Sequence, residues 1–223
     1  IPFSPLNYRH LPVRPRSEGK RVKIINTAMR HFAEHGYQNA RVGDMALELG
    51  IAKGSIFQHF GSKDGLFFEV YKKAARSFSQ YLDVPREVRE RGFFEVVRYW
   101  LERTEHMIRE DWIPYRIYLL GNYGTDLALR REINRFLVAE DPYGRVAFVR
   151  FGMQRGELRR DLDQEMIVSI LDWTVERFQD ALLTEELDPG LFRRQGGAAE
   201  KKEARIAQLL EVLKGAIGAE PRA

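Results

Sequence analysis

The chain of 223 residues is long enough for one large or two small domains, its apolar content of 44% suffices for a buried core, and it holds no cysteine. Disulfides, thiolate zinc sites and cysteine nucleophiles are therefore excluded, which fits a reducing cytoplasm. The net charge of +4 conceals an asymmetry: residues 1–76 carry 13 Lys and Arg against 6 Asp and Glu, and the rest carry 23 against 26, the polarity of a chain whose basic end meets phosphates.

Residues 1–19 hold Pro2, Pro5, Pro12 and Pro15 among Arg9, Arg14 and Arg16, a mixture that does not sustain a helix and reads as a mobile basic arm. This stretch has no signal-peptide apolar region, and no run in the chain approaches the roughly 18 uninterrupted apolar residues of a membrane span. A cytoplasmic protein without a membrane partner is expected. The five histidines form no HExxH pattern, and no acidic ligand accompanies His31 and His35, so neither a metal nor a cofactor is expected.

From Lys20 onward the apolar residues recur at three- and four-residue spacing, as in Ile24, Ile25, Ala28 and Phe32, then Leu66, Phe67, Val70, Tyr71 and Ala74. No strand-like alternation appears, and the fold class is read as all-α. Breaks at Gly36, Gly50, Gly61, Pro85, Ile113-Pro114, Gly121 to Gly124, Asp141-Pro142, Gly156, Asp188 to Gly190 and Gly196-Gly197 predict nine or ten helices. Residues 20–66 form a three-helix domain, and residues 67–223 a larger helical one. The helix opening at Ser62-Lys63-Asp64 is long enough to run from the first domain into the second.

Within 36–66, GYQNARVGDMALELGIAKGSIFQHFGSKDGL, two short helical patterns meet at Gly50. Counting from Val42, Ala46 falls where the two helices press together and only a small side chain fits, and Met45, Leu49, Ile51 and Ile56 hold the second helix across the first. The intervening polar positions are left to face a groove. With RVKIINTAMRHFAEHGY before it, this run resembles the DNA-binding domain of the tetracycline-repressor (TetR) family of bacterial regulators. The resemblance spans residues 21–66.

The resemblance implies that Lys53, Gly54, Ser55, Phe57, Gln58, His59 and Lys63 line a DNA face and that Arg21 contacts a phosphate. Chemistry divides the roles: the Gln58 amide can donate and accept together on an adenine edge, whereas Lys53, His59 and Lys63 suit phosphates. Gly54 lets the backbone approach the duplex. Three residues depart from the family pattern. Phe57 lacks the usual tyrosine hydroxyl; Arg41 replaces a Ser or Thr helix cap, a loss of about 1 kcal/mol, while offering a cation to DNA; and Ala52 stands where serine is common.

In the second domain Trp100, Tyr115, Tyr118, Phe148, Phe151 and Trp173 are candidates to line a pocket, although most aromatics of a helical domain are core. The resemblance implies a small effector there, expected to be apolar, aromatic or acyl-like. Two apolar stripes suit self-association: Ile167, Ile170, Leu171, Thr174 and Phe178, and then Ile206, Leu209, Leu210, Leu213 and Ile217. Either stripe can equally be buried within one subunit. Joining two weak heads makes the second DNA contact intramolecular, and a two-fold dimer reads a palindrome with half-sites one turn apart, roughly 34–36 Å, or a multiple of it.

These readings converge on a ligand-responsive transcriptional regulator, a repressor in most of the family, acting as a homodimer on double-stranded DNA. The alternatives are a hydrophobic-ligand carrier or enzyme with an accessory DNA-binding head, and a non-specific architectural binder. No GxSxG elbow, P-loop or Rossmann fingerprint supports catalysis, and the acidic balance after residue 76 disfavours the architectural reading.

Overall fold

In a computed structural model, residues 15–79, 83–188 and 198–220 are described, and their regular structure is helical. The helices are α1 (Pro15–Asn39), α2 (Val42–Glu48), α3 (Lys53–Phe60), α4 (Lys63–Ser79), α5 (Arg86–Arg91), α6 (Phe93–Glu110), α7 (Trp112–Tyr123), α8 (Leu127–Glu140), α9 (Arg145–Gln154), α10 (Gln164–Leu171), α11 (Arg177–Leu183) and α12 (Ala198–Ile217). A π-helical turn, Asp172–Glu176, joins α10 to α11. One isolated antiparallel bridge pairs Leu158 with Gly218. The count exceeds the nine or ten helices expected because α5 is a single short element and the π turn divides one pattern into two.

Local chemistry explains most of the boundaries. Asp111, Asp126 and Asp163 each accept a backbone N–H in the first turn of the helix that follows, from Ile113, Leu129 and Met166 respectively. Helix α1 starts at Pro15, inside the segment read as a mobile arm, because proline at a first helical position has no N–H to lose. Residues 1–14 of that arm lie outside the described residues. Pro114 sits in the first turn of α7 for the same reason and does not break it.

The break expected at Gly121 to Gly124 falls at Gly124, which caps α7 after Tyr123, so Gly121 itself is inside the helix. It lies buried within α7, where an added Cβ would fall 2.6 Å from Cδ2 of Tyr71 and 3.2 Å from Cδ1 of Ile133. Its missing side chain is a packing feature.

By packing, the described helices form two compact units. The first contains α1–α4 with α7 and α8; the second contains α5, α6 as far as His106, and α9–α12. The division is by contact and cuts across the sequence segmentation at residue 66, because α4 stays with the helices before it and α7 returns to pack on α1 and α4. The chain changes unit inside α6, not inside α4. In the first unit Ala28, Phe32, Leu66, Phe67, Tyr71, Ile117 and Ile133 share one core.

The second unit packs Phe93, Val97, Phe148, Leu158, Ile167, Leu171, Ile206, Leu210, Leu213 and Ile217 into its own core. Both apolar stripes contribute to this core. Ile167, Leu171, Ile206, Leu210, Leu213 and Ile217 are buried within the single chain, while Ile170, Phe178 and Leu209 pack partly against the same core and Thr174 is half-buried. A helical stripe records burial but not what buries it. The apolar side chains left exposed on these elements are Met166, Trp173 and Val212, with Trp173 69% exposed on the π turn. Arg145 holds that turn from α9, its guanidinium bonding Asp172 at 2.6 Å and also Glu176.

Candidate nucleic-acid interface

Helices α2 and α3 meet at a turn built as a Schellman motif. Gly50, at φ +63°, lets its N–H reach Leu47 O and the Ile51 N–H reach Ala46 O at 3.0 Å, which satisfies the last carbonyls of α2. Ala46 is buried at the crossing, Met45 and Ile56 are fully buried, and Leu49 and Ile51 pack at the edge of the same core. Ile56 and Phe60 anchor the inner side of α3. Its outer side carries Lys53, Gly54 and Gln58, all exposed, with Ser55, Phe57 and His59 half-buried between the two.

The two lost caps are visible. Arg41 precedes α2 and Ala52 precedes α3, both in extended conformation, and neither side chain bonds a first-turn N–H. Arg41 is exposed, so its cation is available to a ligand. The Lys53 ammonium lies 5.7 Å from the centre of the Phe57 ring, and Phe57 packs against the core of the unit. The ring in place of tyrosine thus buries carbon and steadies a lysine. The Gln58 side chain makes no hydrogen bond to another described residue and is exposed, as base readout requires.

Two of the proposed phosphate contacts are engaged inside the protein. The Lys63 Nζ donates to Gln38 O at 3.0 Å, at the end of α1, and stands 5.0 Å from the Tyr37 ring centre. Burial lowers its pKa, against which the neighbouring Asp64 acts weakly. Burial first, and then the hydrogen bond given to Asp64, push the Tyr37 phenol up, so it stays a donor. Arg21 donates to His59 O at 3.2 Å, lies 4.7 Å above the Phe60 ring and pairs with Glu69 at 2.8 Å.

A third tie braces α1 against α2. Glu48, near the end of α2, accepts from Arg30 and lies 2.8 Å from the Nε2 of His31. The His31 bond foremost, with Arg30 adding to it against slight desolvation, holds this carboxyl below the usual carboxylate range. Sequence reading singled out neither Glu48 nor Glu69, whose partners on α1 lie 17 and 48 residues away in the chain. His31 belongs to this brace, and no group of His, Asp and Glu able to hold a metal occurs among the described residues.

The six aromatic candidates for an effector site divide between the two units. Tyr115 and Tyr118 stack on each other within the first unit, at 5.7 Å between ring centres. Trp100, Phe148 and Phe151 join the core of the second, where Trp100 and Phe148 are 4.4 Å apart, while Trp173 faces outward. No helix among the described residues is long and apolar enough to cross a membrane.

A braced helix pair presenting small, basic and amide side chains on its second helix defines a helix-turn-helix DNA-binding protein. The comparisons agree: the model for bacterial regulatory proteins of the tetR family matches residues 24–70. The HTH-type transcriptional repressor AcnR of Corynebacterium glutamicum is 31% identical over 171 residues, covering 77% of this chain and 86% of AcnR. Among solved structures, a tetR family transcription regulator from Shewanella sp. PV-4 superposes with a TM-score of 0.64 at 14% identity, over 90% of this chain and 99% of that one. The transcriptional regulator FadR of Bacillus subtilis, solved in complex with stearoyl-CoA, gives 0.62 at 20% identity, over 86% and 96%. The chain belongs to the TetR family of bacterial regulators.

Proposed function

We propose that this protein is a ligand-responsive repressor that binds a palindromic operator as a homodimer and leaves it when a small apolar effector binds. The observation that carries the reading is the contrast across α3. Ile56 and Phe60 fix its inner side in the core, while Lys53, Gly54 and Gln58 are exposed on the outer side. Gln58 reads a base edge, and Arg41, Lys53, His59 and Lys63 neutralise phosphates. Ser55 and Phe57 complete that face. Lys63 retains two further donors after bonding Gln38 O.

The homodimer is assigned to the α10–α12 elements that carry the two stripes, where Met166, Trp173 and Val212 are exposed apolar side chains. An acyl chain is the favoured effector class, because the same fold holds stearoyl-CoA in FadR. Effector and DNA then oppose each other by linkage, each weakening the other's binding by the same factor.

The test is selection of duplexes from a random pool by the purified protein at near-physiological salt. A palindrome among the survivors, released by a long-chain acyl-CoA, supports the whole proposal. Enrichment of a single unrepeated half-site overturns the dimer; no enrichment by a folded sample, with or without acyl-CoA, overturns sequence-specific reading. A palindrome that resists a series of acyl-CoAs overturns the effector class alone.

A further inference from the structure

Arg21 stands at the start of α1, where the family resemblance implies a phosphate contact, yet its guanidinium is already shared among three groups. One nitrogen, Nη1, donates to His59 O at 3.2 Å; another, Nη2, pairs with the Glu69 carboxylate at 2.8 Å; and the guanidinium carbon lies 4.7 Å from the centre of the Phe60 ring. His59 and Phe60 are the last two residues of α3, and Glu69 belongs to α4. A helix end exposes carbonyls without partners and a partial negative charge, and a cation that bonds one of them fixes the end in place.

Glu69 is itself held. It pairs with Lys72 as well as Arg21, and although burial pushes its carboxyl up, the two cations together keep it below its usual range. It therefore stays charged and keeps Arg21 turned toward α3 at neutral pH. The carboxylate also cancels much of the charge that Arg21 would offer to a phosphate.

Resting on the DNA-reading assignment above, we propose that Arg21 is a positioning residue for base recognition: it caps the C-terminal end of α3 from α1, using Glu69 as its anchor, and so fixes the pitch at which Gln58 meets the duplex. A forked guanidinium is needed because two nitrogens must reach two acceptors at once. Lysine carries the same charge as a single point and holds only one of them.

The two roles separate in binding data taken on the full-length protein with its selected duplex and a scrambled duplex across a range of salt. A lost phosphate contact lowers the slope of log affinity against log salt by about 0.9 and weakens both duplexes alike. A lost positioning contact leaves the slope unchanged and lowers the preference for the selected duplex, by about tenfold for one misplaced base contact. Arg21→Lys decides between them, since it keeps the charge and the fold, and Glu69→Gln removes the anchor without removing a cation.

The expected result is that both variants lose preference at unchanged slope. Full preference in Arg21→Lys and Glu69→Gln, with a reduced slope in Arg21→Ala, overturns the inference and restores the phosphate role. If the wild-type chain prefers no duplex, DNA reading itself fails and this inference falls with it, an outcome distinct from a wild-type preference that both variants share.

Discussion

Gly54 allows stability and DNA binding to be driven in opposite directions by one methyl group. It is the second residue of α3, exposed, without positive φ, and an added Cβ would meet nothing within 4 Å. Nothing inside the protein therefore requires glycine, which in a helix loses more conformational freedom on folding than alanine does. Gly54→Ala is expected to stabilise the fold by roughly 0.5–1 kcal/mol, toward the lower end because the site is in the first turn. If the reason for glycine is close approach to sugar and phosphate, the same methyl group lifts α3 off the duplex. Loss of one bidentate base contact then costs about 1–3 kcal/mol, roughly 5- to 150-fold in affinity. Urea unfolding monitored by circular dichroism gives the first quantity, and titration of the selected duplex at fixed salt gives the second. A variant more stable than wild type that binds the duplex equally well would refute the close-approach argument.

Other residues of the site give sharper distinctions. Gln58→Ala should relax base preference at one or two positions per half-site with little change in salt dependence, whereas Lys63→Ala should weaken all sequences similarly and lower the salt slope by about 0.9; repeated duplex selection with each variant separates them. Trp173→Ala removes the largest exposed apolar side chain of the second unit, and sedimentation should show a weaker dimer with an unchanged helical spectrum. Glu48 contributes a pH dependence of known sign. Its carboxyl is held below the ordinary range by His31 and Arg30, so the stability it adds is present above the unfolded-state value of about 4.3 and is lost as pH falls through the lower folded value. Thermal melts between neutral pH and pH 3 should therefore converge for wild type and Glu48→Gln at the acid end, with wild type more stable at pH 7.

The helix-turn-helix was legible because its determinants are local. Small residues at 46 and 50, apolar spacing around them and a lysine opening α4 all lie within some twenty residues, and each occupies the place its chemistry demands. The overall helical class followed from periodicity in the same way. What periodicity does not encode is the identity of the surface on the other side of a stripe. Ile206 and Leu213 pattern like a seam and are buried within the single chain; of the glycines that mark the end of α7, Gly124 caps it and Gly121 gives close approach to Tyr71. The ties of Arg21 to Glu69 and of His31 to Glu48 join residues far apart in the chain, and no local signal announces them. The aromatic candidates of the second domain read as one group in sequence, whereas Tyr115 and Tyr118 belong to one unit, Trp100, Phe148 and Phe151 to the core of the other, and Trp173 is exposed.

The shared core of α1, α4 and α7 bears on protein engineering. Hybrid regulators are commonly imagined as a DNA-reading head exchanged at a sequence boundary, and in this chain the obvious cut lies near residue 66. Such a cut would strip Ile117, Leu120, Leu129 and Ile133 from the core that also holds Phe32 and Ala28, leaving apolar surface open to water and the recognition helix on a weakened base. A transplant that keeps the head intact must carry residues 107–143 with it, although they are separated from it in sequence. The smallest exchangeable piece of this protein is discontinuous, and evolution by simple recombination at one point would be expected to damage it.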